Sequence, residues 1–120
     1  LGPGAAPLDR LRAFLHALAD RTDAQADLLL MAEADPPDAR FRDGSYGLYQ
    51  RHLALLIARI RPDADAAYLA DALLAPLAAN LFVHQRRARA MPIERIKAGL
   101  DDLLAGLGTP PRPGRPESSP

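Results

Sequence analysis

At 120 residues the chain is about one domain long, enough to bury a single apolar core without disulfides or metals. Fifteen basic residues balance fifteen acidic ones, so no overall field draws it to nucleic acid, an anionic membrane or another polyanion. The absence of cysteine excludes a disulfide framework, a thiolate metal site and a cysteine nucleophile, and fits a cytoplasmic address.

Residues 1–6 are rich in glycine and proline, carry no periodic apolar signal and read as a linker, with neither the basic start nor the apolar core of a secretory signal. Pro7 suits the first position of a helix, and Leu8, Leu11, Phe14, Leu15 and Leu18 then recur at the spacing of one helical face. Thr22 followed by Gln25 matches a capping box, which predicts a second helix running through Leu28, Leu29, Leu30 and Met31 to about Ala34, buried on several sides. The stretch DPPDARFRDG at 35–44 reads as a loop that can carry Phe41 inward, because prolines forbid helix continuation and Asp-Gly is turn chemistry. Ser45 is placed to cap a third helix with the stripe Tyr46, Tyr49, Leu53, Leu56, Ile57 and Ile60, ending ahead of Pro62.

Asp63 is a candidate cap for a long fourth helix, DAAYLADALLAPLAANLFVHQRR at 65–87. It is apolar on nearly every side between Leu69 and Val83, with Asp71 and Asn80 as polar interruptions, and a helix apolar all round is buried all round. Ala72, Ala75, Ala78 and Ala79 permit close approach of neighbours, while Leu73, Leu77, Leu81 and Phe82 fill the space between. The uninterrupted apolar run, 72–79, falls short of the roughly 20 residues of a membrane span, so a core helix is expected. Pro76 inside it predicts a kink or a division near 72–76. Pro92 opens a fifth helix whose Ile93, Ile96, Leu100, Leu103 and Leu107 step alternately by three and four, a coiled-coil-like seam that Leu104 widens. Gly106 and Gly108 can end it, and 108–120 reads as a Pro-rich flexible tail. With no strand pattern anywhere, an all-α five-helix bundle over 7–107 is the expected architecture.

No constellation in the sequence carries catalysis. His16, His52 and His84 sit in no paired or HExxH spacing, no serine has a nucleophile-elbow context, and Tyr46 and Tyr49 lack a base at a recognisable distance. Neither an enzyme, a metal site nor a cofactor is expected. A ligand pocket needs only apolar walls and a few convergent polar groups. Phe14 and Leu18 on the first helix, Met31 on the second, Tyr49, His52, Leu53 and Leu56 on the third, and Leu77, Asn80 and His84 on the fourth can supply both. Asn80 in an apolar helix must find a partner, whether a ligand, a water or His52, or else be a satisfied core amide. Asn80 and His84, four residues apart, are expected to form a polar corner.

The amphipathic first helix, the short leucine-rich second, the segment DPPDARFRDGSYGLYQRHLALLIARIRPDADAAYLADALLAPLAANLFVHQRRA and the final MPIERIKAGLDDLLAGL together resemble the C-terminal domain of TetR-type transcriptional regulators, over 7–107. The resemblance implies a domain that binds a small apolar or weakly polar organic effector and forms a homodimer. It implies contact with DNA only through an N-terminal helix-turn-helix domain not recognisable among these residues, and no membrane. It also implies that the last two long helices pack against the same pair of a second copy as a four-helix bundle, near Leu74, Ala78, Ile93, Ile96, Leu100 and Leu103. The apolar fourth helix and the seam on the fifth call for such a partner independently. A monomeric bundle with both faces buried internally, and a ligand-free helical interaction module, are the alternatives. Lys97 as the sole lysine, with abundant alanine and proline, suggests a GC-rich bacterial genome.

Overall fold

The computed structural model describes residues 6–33 and 44–108. The expected linker up to residue 5, the 35–43 part of the loop with Phe41, and the tail from 109 onward lie outside the described residues. All regular structure among the described residues is helical: α1 Pro7–Ala24, α2 Ala26–Glu33, α3 Gly44–Ile60, α4 Ala66–Leu74, α5 Ala79–Val83 and α6 Ile93–Gly108. A 3-10 turn, Ala75–Leu77, follows α4, and a π turn, His84–Ala88, follows α5.

Pro7 opens α1 as expected, behind an extended Ala6. The second helix does not begin at Thr22. Thr22 lies inside α1 and is buried, because it prolongs the stripe Leu11, Leu15, Leu18 at helical spacing and burial of that face outweighs the capping chemistry. The interruption falls at Gln25 instead, where φ −116° and ψ 20° turn the chain into α2. Burial of α2 on several sides does not hold either. Ala26 is buried and Leu29 and Leu30 half-buried, but Leu28 and Met31 are exposed; among the described elements α2 packs mainly on α5 and to a lesser extent on α1.

Helix α3 lies against α1 and α4 and buries Leu53, Leu56 and Ile57, with Tyr46, Tyr49 and Ile60 at the margin of the core. It stops at Ile60, two residues ahead of Pro62, as the sterics of a pre-proline residue require. Asp65, not Asp63, caps α4: its carboxylate accepts the Tyr68 backbone N–H at 3.1 Å, while Asp63 pairs with Arg61 at 3.3 Å.

The long fourth helix is divided, as Pro76 demands. The Ala75 N–H still bonds the Asp71 carbonyl, the 3-10 turn contains Pro76, and Ala78 then leaves the helical region at φ −60° and ψ 133° before α5 restarts at Ala79. Division turns α5 onto α2 and α1 and buries Phe82 fully, in the same core cluster as Leu11, Leu15, Leu53, Ile57 and Leu100. Uniform burial of this segment is not observed: Tyr68, Ala72, Ala75 and Leu81 are exposed. The helical stretch Ala66–Ala88 is 23 residues long and apolar enough to match a membrane span by length and composition alone, with 33% of its most apolar window buried. Core helices satisfy the same measure, and Leu73, Leu74, Leu77, Ala79 and Phe82 of this stretch pack inside the protein.

After the π turn, Ala90 takes a left-handed φ of 50° and Met91 is buried before α6. Helix α6 lies on α1 through Ile96, Leu100 and Leu104. Helix α1 is therefore shared, with α3 against one part of its surface and α6 against another.

Leu15→Ala, at a fully buried position of α1, is expected to cost about 2–5 kcal/mol in urea unfolding. Ala90→Gly, which removes the Cβ at a positive φ, is expected to stabilise by about 0.5–1 kcal/mol.

Candidate functional site

Three of the proposed ligand-contact side chains come together where α1 meets α3. Tyr49 and His52 are one turn apart on α3 and so share a face, and Phe14 of α1 sits between them. The Phe14 ring meets Tyr49 edge-on, centroids 5.8 Å apart at 68°, and His52 at 4.7 Å and 49°. All three are half-buried, and Phe14 and Tyr49 pack against the core cluster to which the buried Leu18, Leu53 and Leu56 belong. Among the described residues neither the Tyr49 hydroxyl nor the His52 ring nitrogens meet a hydrogen-bonding protein group. This seam therefore presents an aromatic surface with two polar groups that have no protein partner among the described residues.

The polar corner from the fourth helix is not formed. Asn80 and His84 are both exposed, and the Asn80 Oδ1 accepts the neighbouring Leu81 N–H at 2.8 Å. Because Pro76 divides the helix, Asn80 stands in the first turn of α5, where backbone N–H groups lack helical acceptors and a side-chain oxygen supplies one. A buried mid-helix amide was the wrong environment for it. Leu77 is buried in the core, and Met31 is 76% exposed on α2.

The residues expected at a dimer interface separate in the same way. Leu74, Ile96 and Leu100 are buried within this chain's own core and have no surface left for a partner. Ala78 and Ile93 are half-buried. Leu103 alone points outward, 52% exposed, so the seam on α6 is turned inward except at that position. Gly99 and Gly106 flank Leu103 on the outer side, and a Cβ added at either would meet nothing within 4 Å.

A polar stripe escaped the sequence reading. Arg12, His16, Asp20, Asp23 and Asp27 follow one another at steps of three and four along α1 into α2, and each meets a partner from the C-terminal third of the chain. Asp101 of α6 accepts from Arg12 Nε at 3.0 Å and contacts His16 Nε2 at 2.7 Å through the same oxygen. Lys97 pairs with Asp20 at 2.8 Å. Arg86 donates to both oxygens of Asp23, at 2.8 and 3.2 Å, and to the Met91 carbonyl at 3.0 Å, while Arg87 reaches Asp27 at 2.7 Å. The helical spacing of these residues was visible, but solvated charge and paired charge look alike without the opposing helix. Hydrogen bonding from Arg12 holds the Asp101 carboxyl below its ordinary range; burial opposes it, and the hydrogen bond and charge of His16 add to the lowering. Among the described residues no group of three His, Asp or Glu side chains is arranged to hold a metal.

Because the folded carboxyl titrates below its unfolded value, the contribution of Asp101 to stability is complete above about pH 4 and is lost as pH falls through the lowered value. Asp101→Asn is thus expected to lower the melting temperature at neutral pH, with the gap to wild type closing as thermal melts are repeated at increasingly acid pH.

Comparison with known proteins finds no matching family model, no similar curated protein and no similar solved structure.

Proposed function

We propose that this chain is the small-molecule-sensing and dimerisation domain of a bacterial TetR-type transcriptional regulator, a cytoplasmic helical bundle with no catalytic role and no cofactor. DNA is read by a helix-turn-helix domain outside these residues. The observation that carries the sensing role is the Phe14, Tyr49 and His52 cluster, where two polar groups without a protein partner among the described residues lie on a half-buried aromatic seam. The outer face of α6, with Leu103 between two open glycines, supports pairing with a second copy.

In this reading sensing is a population shift. An uncharged organic molecule bound at the seam favours one placement of α1 on α3. Phe14 lies on α1 between Arg12 and His16, the two residues tied to Asp101, so a displaced α1 alters the setting of α6 and the spacing of DNA readers attached to the dimer.

The outward position of Asn80 and His84 favours a second reading, a helical protein–protein interaction module without a ligand. Thermal melts with a panel of small neutral aromatic and aliphatic compounds separate the two. The sensing role predicts that a compound at a hundred times its Kd stabilises the domain by about 2.7 kcal/mol, and that Tyr49→Phe with His52→Ala removes most of this. Compounds that never stabilise the chain, or stabilise wild type and variant equally, favour the interaction module.

A further inference from the structure

Helix α3 has an outer face that no described element covers. Leu48 and Leu55, two turns apart, are 61% and 70% exposed, and with Arg51 and Arg59 they form one stripe at steps of three and four residues. Both arginines are exposed, and among the described residues neither has a carboxylate partner. The sequence of α3, GSYGLYQRHLALLIARI, contains no acidic residue. Along this stripe of α3 the exposed leucines therefore alternate with cations alone.

We propose that this face docks an acidic amphipathic helix of another protein. Apolar side chains two turns apart on that helix would cover Leu48 and Leu55, and its carboxylates would pair with Arg51 and Arg59. A second copy is disfavoured because a two-fold contact through this face sets arginines against arginines. A membrane surface is disfavoured because the arginines share the narrow arc of the leucines, so sinking the leucines among acyl chains drags guanidinium groups with them. The proposal is independent of the effector seam and of the outer face of α6.

The probe is a fluorescently labelled synthetic helix with leucines two turns apart and flanking glutamates, titrated with the full chain by anisotropy. A lysine-flanked helix of the same apolar pattern is the control. The glutamate helix is expected to bind, more weakly as salt is raised, and Arg51→Glu with Arg59→Glu is expected to weaken it at least about tenfold while conferring binding of the lysine helix. Leu48→Gln with Leu55→Gln is expected to weaken binding without lowering the melting temperature. No binding of the glutamate helix, or binding unaffected by charge reversal, overturns the proposal. So does self-association abolished by charge reversal, or co-sedimentation with phosphatidylserine vesicles that the same variants abolish while the synthetic helix fails to bind.

Discussion

Pro76 sits in the middle of the most apolar stretch of the chain, and the arrangement of the C-terminal half depends on what it does there. It has no N–H to give, and its ring obstructs the preceding turn, so a single rod cannot persist through it. The chain leaves the helix at Ala78 and restarts at Ala79. Helix α4 then lies along α3, while α5 crosses to α2 and α1 and places Phe82 among the fully buried side chains. Leu74 and Leu77, on either side of Pro76, are spent on the same core. Asn80 becomes a helix-start residue that satisfies its own neighbour.

A second consequence lies beyond α5. The π turn carries Arg86 to the end of α1, where it holds Asp23 with two nitrogens and the Met91 carbonyl with the third, across the segment in which Ala90 adopts its positive φ. Helix α1 receives charged partners from this turn and from α6 along one stripe, and aromatic contacts from α3 through Phe14. These surface pairs are individually modest. What they fix is register. Phe14 lies on α1 between Arg12 and His16, so the aromatic contacts to α3 and the polar contacts to Asp101 of α6 share one turn of α1.

The helical content, the start at Pro7, the end of α3 before Pro62 and the inward stripe of α3 were legible because each rests on local chemistry or on one clear period. Thr22 misled because a capping pattern competed with a burial stripe, and only the presence of a packed core decides such a contest. One grouping within the candidate site was legible. Phe14, Tyr49 and His52 meet, but Asn80 and His84 do not join them, because their expected direction assumed a helix continuous through Pro76. Likewise the seam of α6 showed that two apolar surfaces were needed. It did not show that α1 would supply the larger one and leave Leu103 outside.

With Leu74, Ile96 and Leu100 consumed internally, the proposed pairing with a second copy falls to what α6 still presents, the outer surface around Leu103. Gly99 and Gly106 leave room there for a second helix to approach closely. Sedimentation equilibrium of wild type and Leu103→Arg at micromolar concentration tests this most directly. A dimeric wild type and a folded, monomeric variant are the predicted result. A monomeric wild type, or a variant that remains dimeric, would contradict it.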